Sequence, residues 1–148
     1  RKAWMNQNFN DKIDKGLVGN KLIEEAIKGL QEEATQEMLA HTLTVIRKRM
    51  KQKGQLIIAV EPSFGSQQMN ISVVKTADGL NWWTAFTSFD EEMKGANGVK
   101  STFLTDIGQL FNSVLKVDEI DGIILNPWNR TIMLDKTLIN IIHGNIKC

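Results

Sequence analysis

Residues 122–135, GIILNPWNRTIMLD, constrain the fold of this chain more than any other stretch. Two short apolar runs flank a polar segment that begins with Asn126 and Pro127. Proline fixes its own φ and excludes the preceding residue from the helical region, and asparagine can bond the backbone of a turn through its side-chain amide. The stretch therefore predicts two strands, at residues 122–126 and 131–134, joined by a tight turn.

Helical spacing of apolar residues dominates the segment from residue 20 to residue 50. The spacing predicts two helices, or one bent helix, with one buried face. Asn20 is the predicted N-cap, and Thr35 allows the break. Two more helices are predicted to begin after Asp106 and Asp135, because each aspartate precedes a further apolar stripe at helical spacing.

Shorter apolar or alternating runs predict three further strands, at residues 55–60, 69–75 and 81–87. Ser88 and Glu91 fit a capping box, which predicts a short helix after the third of these strands. The order of the elements predicts an α+β fold with a mixed sheet of about five strands, N-terminal helices and further helices packed on the sheet. The helix between the third and fourth strands leaves room for a parallel crossover.

The size and charge of the chain limit the classes of protein to which it can belong. Its 148 residues predict a polar N-terminal arm at residues 1–19 and a single domain at residues 20–148. The longest apolar runs are about five residues, whereas a membrane-spanning helix needs about 20, so no membrane span is predicted. The single cysteine, Cys148, cannot form an internal disulfide.

Two groups of aromatic and basic side chains are candidates for binding. Arg130 could hold a carboxylate or phosphate with its planar guanidinium, and Trp128 could stack on a ligand or anchor a partner. The alternative is that Trp128 covers the edge of the core while Arg130 is solvated. Trp82 and Trp83 are neighbours on a predicted strand, so they are expected to point to opposite faces, and one of them could form an exposed patch unless a helix covers it.

Other polar residues give weaker signals. The basic run at residues 47–53 could contact phosphates, but it lies where cations favour a helix C-terminus, and the net charge of the chain is only +1. Nucleic-acid binding is therefore not favoured. His41 and His143 are far apart in sequence and lack a second ligand at helical spacing, so no metal site is predicted. No set of catalytic residues and no cofactor are predicted.

Three parts of the sequence together resemble the N-terminal domain of the SseB (enhanced serine sensitivity) family. They are the helical block with Asn20, Leu22, Ala26 and Leu30, the segment AFTSFDE at residues 85–91, and the segment GIILNP at residues 122–127 followed by the second apolar run. The resemblance covers about residues 20–143. It implies a cytoplasmic bacterial protein, and it supplies no catalytic residue to carry over.

These observations favour a non-catalytic module that binds an unknown protein partner or a second copy of itself. The candidate binding residues are Asn126, Pro127, Trp128, Arg130, Trp82 and Trp83. The alternative is a small-molecule protein, linked to metabolism or sensing, in which Arg130 holds an amino acid or another carboxylate.

Overall fold

The computed structural model describes residues 15–62, 69–88, 91 and 101–144. Its helical elements are a 3₁₀ helix (Lys15–Asn20), α1 (Lys21–Glu32), α2 (Gln36–Lys51), α3 (Ile107–Lys116) and α4 (Lys136–His143). Its strands are β1 (Gln55–Pro62), β2 (Met69–Ile71), β3 (Val73–Lys75), β4 (Asn81–Phe86), β5 (Ser101–Asp106), β6 (Gly122–Leu125) and β7 (Ile132–Asp135). The predicted α+β class is confirmed.

The sheet is mixed, with β1 near its centre. β1 pairs antiparallel with β5 on one side, and with β2 and β4 on the other. β4 and β6 are parallel, and β6 continues into an antiparallel pair with β7. The connection between the parallel strands contains β5 and α3, so the predicted crossover is confirmed.

Two parts of the sheet differ from the prediction. The segment at residues 69–75 was expected to form one strand, but it is interrupted at Ser72, because β2 pairs with β1 while β3 pairs with β4. The backbone N–H of Ser72 donates to the carbonyl oxygen of Ala59 at 2.8 Å. β5 was not predicted at all. Its sequence STFLTD has few apolar residues, and therefore no clear strand pattern. Among the described strands, β5 pairs only with β1.

The main hydrophobic core lies on one face of the sheet, beneath the four described α-helices. Each helix contributes buried apolar residues to this core, among them Ile23, Ile46, Phe111 and Ile139. The apolar periodicity of the helices thus has a direct energetic reason, since burying one such side chain contributes roughly 1.5–3 kcal/mol. A smaller cluster, formed by Leu17, Ile57, Ala59 and Phe86, includes a residue of the 3₁₀ helix.

The helix ends follow their local sequence in most places. The side chain of Thr35 accepts a hydrogen bond from the backbone N–H of Met38 at 3.1 Å, and Asp135 accepts one from Leu138 at 2.9 Å. Asn20 directly precedes α1 as predicted, but its side chain makes no capping bond. Among the described residues, no helix has the length and apolar character needed to cross a membrane.

Candidate functional site

The candidate site lies at the edge of the sheet where the parallel strands β4 and β6 end. The register pairs Ala85 with Leu125, which places Thr87 and Asn126 side by side just beyond the strands. The backbone N–H of Asn126 donates to the carbonyl oxygen of Ala85 at 2.8 Å, so Asn126 is held directly by the neighbouring strand. This position follows from the predicted strand and the Asn-Pro turn.

Asn126 fixes the geometry of this edge. Its φ is 54°, a left-handed conformation that asparagine adopts more readily than most residues, and its side chain is fully buried. The Oδ1 atom accepts a hydrogen bond from the backbone N–H of Thr87 at 2.9 Å, and the Nδ2 atom donates to the Thr87 hydroxyl at 2.9 Å. The Asn126 carbonyl accepts from the Thr131 hydroxyl at 2.6 Å, which closes the turn.

Thr87 connects this edge to the first turn of α1. Its hydroxyl donates to Oε2 of Glu24 at 2.5 Å, and its carbonyl oxygen accepts from Nδ2 of Asn20 at 3.1 Å. The same Asn20 amide donates to the carbonyl oxygen of Gln55 at 2.6 Å. Asn20 therefore joins the ends of two strands instead of capping its own helix. This long-range role explains why the predicted capping bond is missing.

A buried arginine donates a hydrogen bond to the side chain of Asn20. Arg49 is 8% exposed, and its Nε atom donates to Oδ1 of Asn20 at 3.1 Å. Its two terminal nitrogens donate to Oε1 of Gln52 and to the carbonyl oxygen of Gly16, each at 2.9 Å. Burial lowers the pKa of the Arg49 guanidinium, because the charged form loses hydration.

Two glycines leave the space that this guanidinium occupies. A Cβ atom at Gly19 would lie 2.7 Å from Cζ of Arg49, and one at Gly54 would lie 2.9 Å from the same atom. Real Cβ atoms do not approach other heavy atoms so closely. The guanidinium thus lies against two backbones without side chains. The predicted position of these cations near a helix C-terminus is confirmed, because Lys48, Arg49 and Lys51 lie in the last turn of α2. The burial of Arg49 was not predicted.

The loop at residues 126–131 is fixed to the rest of the protein by Glu91. The buried carboxylate of Glu91 accepts hydrogen bonds from Nδ2 of Asn129 at 3.0 Å and from the backbone N–H of Arg130 at 3.3 Å. The Ser88 hydroxyl accepts from the backbone N–H of Glu91 at 3.2 Å, which confirms that half of the predicted capping box. Beyond Glu91, the helix predicted to follow lies outside the described residues.

A second side chain, Gln31 of α1, holds the same loop. Its Nε2 atom donates to the carbonyl oxygen of Asn129 at 2.9 Å, and its Oε1 atom accepts from a terminal nitrogen of Arg130 at 3.0 Å. The loop is therefore bonded to α1 as well as to Glu91. These contacts join residues about a hundred positions apart in sequence, with separations of 98 and 99.

Trp128 is the prominent apolar side chain of this loop. It is 55% exposed, whereas the neighbouring Pro127 is only half-exposed or less. A tryptophan with more than half of its surface in water does not serve mainly to cover the core edge. The structure brings together four of the candidate residues, Asn126, Pro127, Trp128 and Arg130, and gives them different roles: Asn126 is internal, and Trp128 faces solvent.

The two tryptophans of β4 lie away from this loop, near the start of the parallel pair. Trp82 is paired with Gly122, and Trp83 with Ile123. Trp82 is buried and its Nε1 atom donates to the Thr76 hydroxyl at 3.1 Å, while Trp83 is half-buried and packs against the main core. Their alternation between faces is as predicted, and neither ring is among the strongly exposed apolar side chains of the described residues.

No group of three or more histidine, cysteine, aspartate or glutamate side chains is arranged to hold a metal ion within the described ranges. Sequence reasoning did not identify the network made by Thr87, Glu24 and Gln31, because these are ordinary polar residues that become partners only through the fold. The capping box was the one local signal that drew attention to Glu91.

Comparison of the chain with models of known protein families, with curated proteins and with solved structures finds no match. The resemblance to the SseB family therefore stays a prediction.

Proposed function

We propose that this chain is a non-catalytic binding domain that uses the loop at residues 126–131 to hold a protein partner or a second copy of itself. The observation that carries the proposal is Trp128, which is 55% exposed on a loop fixed by several hydrogen bonds. Exposed aromatic side chains are common on protein surfaces, but the backbone of this loop is already held in place by hydrogen bonds.

Order in the free loop favours binding, because a partner does not have to immobilise the loop when it binds. Association normally loses free energy through the ordering of loops and side chains, and a preformed loop reduces that loss. Tryptophan and arginine are the residues enriched at energetic centres of protein interfaces. Trp128 and Arg130 stand two positions apart in this loop, and Gln31 holds the guanidinium of Arg130 in place.

The test compares Trp128→Ala with a matched control, Phe103→Ala. Phe103 is 48% exposed on β5, so both substitutions remove an exposed aromatic side chain. Sedimentation velocity measures self-association, and affinity capture from a bacterial lysate followed by mass spectrometry measures partner binding. We expect Trp128→Ala to weaken association at least tenfold, equivalent to about 1.4 kcal/mol, while Phe103→Ala leaves it unchanged.

Both variants should unfold at nearly the same urea concentration as the parent protein, because neither side chain is buried. Association that is equally strong in the parent protein and in Trp128→Ala refutes the site. Absence of any association by the parent protein, with itself or with lysate proteins, refutes the interaction function.

A second candidate function is recognition of an amino acid or another small carboxylate by Arg130. The observation in its favour is that the described side-chain partner of the Arg130 guanidinium is the neutral amide of Gln31. A ligand that binds only the folded protein raises its melting temperature. A thermal-shift screen with amino acids should then show an increase that disappears in Arg130→Gln, and no increase at millimolar ligand excludes this candidate.

A further inference from the structure

A groove between α1 and α2 forms a separate concave surface, away from the loop at residues 126–131. It has a volume of about 290 Å³. Its apolar lining consists of Leu22, Ala26, Met38 and Val45. Leu22 is one of the most exposed apolar side chains among the described residues, at 58%. The volume lies just below the roughly 300–1,000 Å³ typical of ligand pockets, so the groove fits a small, partly apolar molecule.

The charged groups of the groove are unbalanced. Arg49 and Lys48 supply two positive charges to its lining, and Glu25 supplies one negative charge. His41 also lines the groove. No ion pair joins Glu25 to either cation within the part of the chain that the structure describes. At neutral pH the lining therefore has one positive charge in excess, with His41 counted as neutral.

Arg49 gives this excess charge a physical consequence. Among the described residues, the three hydrogen-bond acceptors of its guanidinium are neutral oxygen atoms, on Asn20, Gln52 and Gly16. A guanidinium has five N–H donors, so the three described bonds do not use all of them. A buried charge without a counter-ion is unfavourable, and a bound anion beside it restores part of the lost electrostatic stabilisation.

We propose that this groove binds a medium-chain aliphatic carboxylate. The carboxylate lies beside Arg49 and Lys48, and the hydrocarbon chain lies on Leu22, Met38 and Val45. A monoanion matches the single excess positive charge better than a phosphate with two negative charges. An aliphatic chain matches the apolar side chains that α1 and α2 contribute to the groove. The proposal does not depend on the binding role of Trp128.

The test uses octanoate as the probe and compares it with 1-octanol and acetate. Two-dimensional ¹⁵N–¹H NMR of the full chain reports which backbone amides respond. We expect octanoate to shift the amides of groove residues such as Ala26, Val45 and Lys48 at submillimolar concentration. Acetate should bind at least tenfold more weakly because it lacks the chain, and 1-octanol should also bind more weakly because it lacks the charge.

A charge reversal distinguishes the groove from nonspecific attraction. Lys48 lines the groove, whereas Lys51 lies on the same helix one turn later and does not line it. Both side chains are exposed, so neither Lys48→Glu nor Lys51→Glu should disturb the fold. We expect Lys48→Glu to weaken octanoate binding about five- to tenfold and Lys51→Glu to change it less than twofold.

Three results overturn the proposal: no amide shifts with millimolar octanoate, equal binding of 1-octanol, or equal effects of the two charge reversals. Trp128→Ala and Arg130→Gln serve as further controls, because both residues lie outside the groove lining and should leave octanoate affinity unchanged. Loss of octanoate binding in Arg130→Gln would place the carboxylate at the loop and reject the groove.

Discussion

Replacing Asn126 by alanine should destabilise the protein strongly, although the change removes only part of a small side chain. The side chain is fully buried and forms two hydrogen bonds with Thr87, one to its backbone N–H and one to its hydroxyl. Its backbone also has a positive φ of 54°. Asn126→Ala therefore has three consequences: a buried N–H loses its acceptor, a side-chain bond disappears, and alanine must adopt a left-handed conformation.

Each consequence has a known approximate magnitude. A buried donor without a partner costs about 1–3 kcal/mol, and an ordinary side-chain hydrogen bond contributes about 1 kcal/mol. A left-handed conformation costs alanine about 1–2 kcal/mol. Because these effects share one site and are not fully additive, we expect a loss of about 3–5 kcal/mol in the free energy of unfolding. That is a large part of the roughly 5–15 kcal/mol typical of a domain.

Asn126→Gly is the matched control for the backbone. Glycine also loses both side-chain bonds, but it adopts positive φ without steric cost. It should therefore be about 1 kcal/mol more stable than the alanine variant, although greater freedom of glycine in the unfolded chain offsets part of this difference. The order of stability expected is parent protein, then Asn126→Gly, then Asn126→Ala.

Urea unfolding followed by tryptophan fluorescence measures these differences. With a slope of about 2 kcal/mol per molar urea, a loss of about 4 kcal/mol moves the midpoint down by about 2 M. A midpoint for Asn126→Ala within about 0.5 M of the parent protein, roughly 1 kcal/mol, contradicts the structural role of Asn126. Equal stability of the alanine and glycine variants contradicts the argument from φ.

Three further predictions concern other sites. His143→Phe should stabilise the protein by about 1 kcal/mol in thermal unfolding, because it removes the unbonded buried Nε2 atom and keeps an edge-on contact with Phe111. Gly122→Ala should cost about 3 kcal/mol in urea unfolding, since its Cβ would clash with the adjacent strand and with Trp82. A hydrogen bond from the hydroxyl of Thr76 is the main cause that lowers the pKa of Asp78 in the folded protein. The resulting stabilisation is present above the pKa of an unfolded aspartate, about 3.9, and is lost as the pH falls through the lower folded value. Urea midpoints measured at a series of pH values test this contribution. The part of the decrease at acidic pH that comes from Asp78 should be absent in Asp78→Asn.

Predictions from the sequence succeeded where the deciding interactions are local. The strand pair around Asn126 and Pro127 follows from restrictions on two adjacent residues. The cap at Asp135 needs only a donor three positions later, at Leu138. The two N-terminal helices follow from the apolar spacing within each of them. In these cases, the residues that determine the structure are neighbours in the chain.

The burial of Arg49 was not predicted, because the contacts that determine it are remote in sequence. Lysine and arginine side chains are common near helix C-termini, and nothing in the basic run itself indicates that one of its members is buried. Its burial depends on Gly16 and Gly19, about thirty positions earlier, which come close only after the 3₁₀ helix packs against β1. β5 was missed for a related reason, because its own sequence has few apolar residues and its partner, β1, lies about 40 to 50 positions earlier in the chain.

The candidate site also combines features that local sequence predicts with features that depend on remote contacts. The turn itself was predictable, but the fixed position of Trp128 depends on Glu91 and Gln31, which the sequence does not connect with the turn. Exposure of a tryptophan supports a binding role only when its backbone is already ordered, since a loose loop loses more free energy on binding. α1 supplies that order: Gln31 holds the loop at one end of the helix, and Glu24 bonds Thr87 near the other. The strongest support for a binding surface at Trp128 therefore comes from a helix whose own sequence predicts only that it packs on the core.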